Sequence, residues 1–208
     1  MFELDRSFSG PGIAGTDEAG RGPLCGPVCA AAVMLRTGLK LPGLNDSKKL
    51  TAKRREELFD DIREHALCWA IAWSSVAEID QFNILQASHL AMCRAVSALA
   101  GKPQRILVDG DQVPACLQAP ATALVRGDQR HSAIAAASIL AKVARDRYML
   151  ALHRTYPAFE FDRNKGYPTA QHLKVLRQNG PCPEHRQSFA PVRACLLKSG
   201  VEQKKLEL

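Results

Sequence analysis

The stretch GIAGTDEAGRGPLCGPVCAAAVML, residues 12–35, decides the fold class. Its runs GIAGTDE (12–18) and GPVCAAAVML (26–35) read as two strands joined by the glycine-rich turn AGRGPLC. So short a hairpin-like link argues against an all-parallel sheet. The first run ends in two adjacent carboxylates, Asp17 and Glu18, and the turn then sets Arg21 between Gly20 and Gly22.

Downstream, a loop rich in Gly, Pro and turn formers (36–50) leads to a helix expected from about Thr51, as N-cap, to Ala66. Leu58, Phe59, Ile62 and Ala66 share one face of it and the remainder is charged. CWAIAWSS (68–75) reads as a third strand, and two helical pieces follow, the longer from about Ile84 to Ala100. QRILVDG and ATALVRGD are short apolar runs that end in acid, at Asp109 and Asp128. A helix from about Ser132 to Thr155 is apolar almost all round and should be largely buried. Further helices are expected near Thr169–Gln178 and Ser188–Lys198. Strands that alternate with helices imply an α/β fold, a mixed sheet with helices packed on it. One domain over 1–208 is expected, with about 156–208 as a C-terminal helical extension.

The 46% hydrophobic and 24% charged content suits a globular chain of 208 residues with one substantial core. No apolar run reaches the roughly 18 residues of a membrane span. MFELDRSFSG has no cationic-then-apolar leader pattern, so the expected location is the cytoplasm. Seven scattered cysteines without a C-x-x-C pair read as reduced, buried thiols. A zinc site from Cys182 and His185 is conceivable but is not the expected reading. A net charge of +7 and a pI near 9.2 favour an anionic partner without specifying one.

Each strand-terminal acid could be turn chemistry alone. Three such ends, one of them doubled, instead suggest a site formed by Asp17, Glu18, Asp109 and Asp128. Two carboxylates about 4 Å apart repel by roughly 4 kcal/mol at an effective dielectric near 20. Such a cluster needs cations, and an oxygen-only donor set suits Mg²⁺ or Mn²⁺. Two divalent ions would balance four carboxylates and form the clamp used for phosphodiester cleavage. Adjacent strand residues face opposite ways, so Asp17 and Glu18 can share a site only if the strand bends or ends there.

GTDEAGRGPLCGPV, LNDSKKL, EIDQFNIL, ILVDGD, VRGDQRHSAIAAASILAKVARDRYM, NKGYPTAQH and HRQSFAPV resemble the successive blocks of bacterial ribonuclease HII, in family order over about residues 12–193. Type HIII enzymes, which carry an extra N-terminal domain and lack the arginine of the glycine turn, are less similar. The resemblance implies a ribonuclease H-like mixed sheet flanked by helices, with a C-terminal helical extension. It implies hydrolysis of RNA in RNA–DNA hybrids and cleavage 5′ to single ribonucleotides in duplex DNA, as in ribonucleotide excision repair, by a monomer using two ions, Mg²⁺ or Mn²⁺. The family's metal-binding acids match Asp17, Glu18, Asp109 and Asp128. Its GRG matches Gly20, Arg21 and Gly22, expected at the ribose 2′-hydroxyl and adjoining phosphates, and its junction-reading tyrosine matches Tyr167. Lys48 is a candidate phosphate contact, with Lys142 and Lys165 behind it. Asp111 has no family counterpart, Asp146 is expected to pair along its helix, and HRQSFAPV reads as packing, with no chemistry for His185. Another nuclease of the same fold, or a non-catalytic nucleic-acid binder whose acids serve turns and ion pairs, remain the alternatives.

Overall fold

Strands β1 (Ile13–Ala19), β2 (Val28–Met34), β3 (Cys68–Ser74), β4 (Arg105–Asp109) and β5 (Ala121–Leu124) form one sheet of order β3-β2-β1-β4-β5. β1 runs antiparallel to β2, from Ala14–Met34 to Ala19–Cys29, and parallel to β4, from Ile13–Arg105 to Thr16–Val108. β4 and β5 are parallel. The sheet is therefore mixed, as the short link after β1 requires. The structure, a computed structural model, describes residues 2–10 and 12–197.

The helices are α1 (Ala52–His65), α2 (Val76–Phe82), α3 (Ile84–Ser97), α4 (Gly127–Arg130), α5 (Ser132–Thr155), α6 (Phe161–Asn164) and α7 (Ala170–Asn179). Thr51 caps α1 by accepting from the Arg54 amide, and Ser75 forms a capping box with Glu78 on α2. A last helix occupies 190–197; its expected terminal residue, Lys198, lies outside the described residues. Among the described residues no helix is long and apolar enough to cross a membrane.

The described residues divide into two compact units. The first comprises the chain up to Ala19, Cys29–Trp73 and Ser88–Ala144; the second comprises Gly20–Val28, Ser74–Ala87 and the chain from Arg145 onward. In the first, every residue of β2 is buried, as in a strand covered on both faces. Cys29, Ala31 and Val33 pack with Leu58, Phe59 and Ile62 of α1 and with Ile139 and Leu140 of α5. Burying each large apolar side chain of α1 contributes about 1.5–3 kcal/mol. At Gly15 a Cβ would lie 2.3 Å from the Ala133 carbonyl carbon and 2.4 Å from the Ile134 nitrogen, so the start of α5 rests on the backbone of β1. The second unit has its own core, built from Cys25, Met149, Phe159, Phe161, Val175 and Cys182.

The thiols are not all reduced. Cys93 of α3 and Cys116 form a disulfide across 23 residues, and Cys25, Cys29, Cys68, Cys182 and Cys195 stand outside any disulfide. The loop after α3 folds back to make this pair, and scattered spacing carries no local sign of such a return.

Candidate functional site

The parallel ladder between β1 and β4 stops at Thr16–Val108, so Asp17 and Asp109 are the first residues beyond it on their strands. Asp17 is 7% exposed. Its Oδ1 accepts from the Glu18 amide at 2.6 Å. The strand does not end at Glu18, since pairing with β2 continues to Ala19–Cys29. Release from β4 on one side, rather than an end to the strand, frees the acids.

Asp128 is not strand-terminal as the sequence suggested. β5 stops at Leu124, Arg126 turns the chain in a left-handed conformation (φ 55°), and Asp128 sits in the first turn of α4. A carboxylate is favoured there because a helix start presents unpaired amides. Its own amide donates to Asp109 Oδ1 at 3.3 Å, which joins two of the acids directly.

The electrostatics follow from this crowding. Burial, then the charges of Glu18 and Asp109, holds the Asp17 carboxyl well above its ordinary range. Burial also raises Asp109. Asp128 rises from 3.8 to about 6, through burial first and then Asp109 and Asp46. Lys48 moves the other way from a buried lysine: burial lowers it, but Asp128, Asp17, Asp46 and Asp109 together outweigh burial and raise it. Asp46, 4% exposed, is a member that the sequence reading did not assign. It caps the turn bearing Lys48, accepting from that amide at 2.9 Å, and its other oxygen accepts from Gln129 at 3.2 Å. Asp17, Glu18, Asp46, Asp109 and Asp128 against the Lys48 ammonium make a region short of positive charge, and its oxygen donors are of the kind that hard divalent ions such as Mg²⁺ or Mn²⁺ accept.

This imbalance sets a pH dependence. A carboxyl whose pKa is raised on folding stabilises the folded state below its unfolded value and loses that contribution as pH rises through the folded value. Without divalent ions the cluster should therefore weaken the fold as pH passes from 3.8 to about 6 at Asp128. Asp128→Asn should flatten this fall, and Mg²⁺ should raise Tm far more at about pH 8 than at about pH 5. Thermal melts of both proteins over that range check it; parallel pH profiles would exclude crowding at Asp128.

The glycine turn belongs to the second unit and is held from within. Arg186, fully buried, donates from Nη2 to Gly20 O (2.6 Å), from Nη1 to Arg21 O (3.0 Å) and from Nε to Gly26 O (2.9 Å). Arg145, 1% exposed, donates to the carbonyls of Pro27, Cys25 and Lys165 at 3.0–3.1 Å. Burial, and then repulsion from Arg145, lowers Arg186 to about 9. Gly20 has φ +104°, and a Cβ there would lie 2.0 Å from Arg145 Nε, so only glycine fits. Arg21 and Gly22 are exposed, and a Cβ on Gly22 would stand 3.3 Å from the Tyr167 ring. Tyr167 is 44% exposed.

The first unit thus brings together Asp17, Glu18, Asp109, Asp128 and Lys48, and the second brings together Gly20, Arg21, Gly22 and Tyr167. Asp111 is exposed, while Asp146 and Lys142 are half-buried on α5. The Lys165 ammonium donates to the Asp162 carbonyl. Arg145 and Arg186 were missed; Arg145 stands among Lys142, Asp146 and Arg147, where one more charged residue carries no signal of burial.

The ribonuclease HII family model matches residues 14–192. The chain is 57% identical over 191 residues to ribonuclease HII of Paracidovorax citrulli, covering 92% of this chain and 79% of that protein. It is also 57% identical over 184 residues to ribonuclease HII of Idiomarina loihiensis, covering 88% and 98%. The crystal structure of ribonuclease H2 from Pyrococcus horikoshii superposes with a TM-score of 0.75 at 29% identity, over 89% of this chain and 97% of that one. With its motifs in order, its mixed sheet and its match along nearly the whole length, the chain belongs to the ribonuclease HII family of ribonuclease H enzymes.

Proposed function

We propose that the chain hydrolyses the RNA strand of RNA–DNA hybrids and cuts 5′ to single ribonucleotides embedded in duplex DNA, leaving a 3′-hydroxyl and a 5′-phosphate. The role is that of a monomeric, cytoplasmic enzyme of ribonucleotide excision, with both units acting as one domain on one substrate. Asp17, Glu18, Asp109 and Asp128 would hold two divalent ions, Mg²⁺ or Mn²⁺. Such ions, when bound, supply an activated water and charge stabilisation at the scissile phosphate. The observation that carries this reading is the convergence of Asp17, Asp109 and Asp128 with raised carboxyl pKa values around a single lysine, Lys48.

The chain's own residues take the remaining roles. Among the described residues every peptide is trans, so a carbonyl and the following amide point in opposite directions. Arg186 binds the carbonyls of Gly20 and Arg21, which turns the amides of Arg21 and Gly22 away from it. Two adjacent outward donors suit a ribose 2′-hydroxyl and its phosphate, the group that distinguishes RNA from DNA. Tyr167, whose exposed ring stands beside Gly22, would stack on the neighbouring deoxyribose. Lys48, held by Asp46, is placed to contact a phosphate, and the +7 charge supports affinity without base reading.

The test is Mg²⁺-dependent cleavage of a duplex containing one ribonucleotide. Tyr167→Ala should lower that cleavage about fivefold or more, since a stacking contact contributes roughly 1–3 kcal/mol. Mg²⁺ stabilisation should be unchanged. Binding without cleavage by the wild type would favour a non-catalytic binder; equal cleavage by the variant would remove Tyr167 from the junction.

A further inference from the structure

We propose that Cys25, Cys182 and His185 form a buried site for a thiophilic metal ion of the zinc class, with donor chemistry unlike that of the carboxylate cluster. The donor atoms all lie within 4.8 Å of one another, and Cys182 Sγ is 3.1 Å from His185 Nδ1. Cys25 is 0%, Cys182 9% and His185 1% exposed. Local structure explains the meeting. An isolated antiparallel bridge sets Cys25 against His185, and a tight turn, in which the His185 amide donates to the Cys182 carbonyl at 2.9 Å, brings in the third donor.

The orientation of the imidazole is fixed from behind. The Tyr167 carbonyl can only accept, so His172, 2.8 Å away, carries its proton on Nδ1. The Cys182 amide donates to His185 Nδ1, so the proton of that ring is on Nε2, which faces the Nε2 of His172. Across that 3.0 Å contact His185 is then the donor. This leaves Nδ1 of His185 unprotonated and facing the sulfurs. A ligating histidine has its other ring nitrogen tethered in the same way. Without an ion, the Cys182 amide donates to that lone pair at 3.0 Å, and an ion would displace it.

The charges agree. Cys25 and Cys182 are both buried thiols outside any disulfide. A cation would release their protons and be balanced by two thiolates. Two sulfurs and one nitrogen are donors that zinc accepts and that Mg²⁺ does not. Such an ion would tie the segment 182–185 to the end of the glycine turn, within the second unit.

The test is anaerobic titration of the full chain with Co²⁺ without added reductant, which keeps the Cys93–Cys116 disulfide, read by the thiolate-to-metal charge-transfer band. The expected result is a band that saturates at one equivalent, is displaced by Zn²⁺ and disappears in both Cys25→Ser and Cys182→Ser. It should persist in the double variant Cys68→Ser/Cys195→Ser. Absence of the band from the wild type, its persistence in either of the first two variants, or its loss from the double variant overturns the proposal. The carboxylates cannot give this band, so the outcome is independent of the nuclease reading.

Discussion

Asp17→Asn and Asp109→Asn each lower cleavage of a single-ribonucleotide duplex by more than about a hundredfold, the loss typical when charge stabilisation is taken from a transition state. Binding to the same duplex stays within about threefold, because backbone affinity comes from cations elsewhere on the chain. Asparagine keeps the volume and removes the charge. Since burial and neighbouring carboxylates penalise ionised Asp17, the metal-free variant should melt no lower than the wild type. Lost cleavage with kept stability is therefore the signature to measure. If both variants keep about a tenth of wild-type cleavage, these acids do not hold the reaction's ions.

Arg186→Lys is the second large effect, and it separates the two costs of a buried guanidinium. Lysine keeps the charge but cannot span the carbonyls of Gly20, Arg21 and Gly26, which Arg186 binds at 2.6–3.0 Å. Leaving two or three buried acceptors unsatisfied costs about 3 kcal/mol or more. In a chain of this size that corresponds to a Tm lower by about 6–12 °C. Arg186→Met also orphans the carbonyls, but it removes a buried charge that burial and Arg145 already disfavour. The expected order of stability is wild type, then Met, then Lys, with cleavage reduced in both variants. A Lys variant melting within about 2 °C of the wild type would show that the turn does not depend on Arg186.

What the sequence revealed and what it hid divide along contact range. The helix read over Ser132–Thr155 is the helix observed, because its apolar pattern and length are local facts. β1 lies one residue from its expected bounds for the same reason. Asp17 and Asp109 could be placed at the end of the β1–β4 ladder because apolar runs stop there. Asp128 could not be placed: ATALVRGD looks like a strand, and the left-handed Arg126 that ends it early leaves no mark in composition. Asp46 lay unassigned in the loop 36–50, where it caps a turn; only the fold brings its charge to bear on Asp109 and Asp128. The bonds from Arg186 to the glycine turn cross 160–166 residues, and no local periodicity encodes them.

The contact of Gly15 with Ala133 and Ile134 bears on how the enzyme can change over generations. Asp17 lies two residues after that glycine, and Asp128 lies five before Ala133, so both acids are measured from one meeting of main chains. Main-chain atoms are the same whatever the side chains become. Neutral drift in the surrounding alanines, valines and leucines can therefore accumulate without altering the interval between the acids. Position 15 is the exception: a change to alanine there, mild on any exchange scale, would shift the ruler itself.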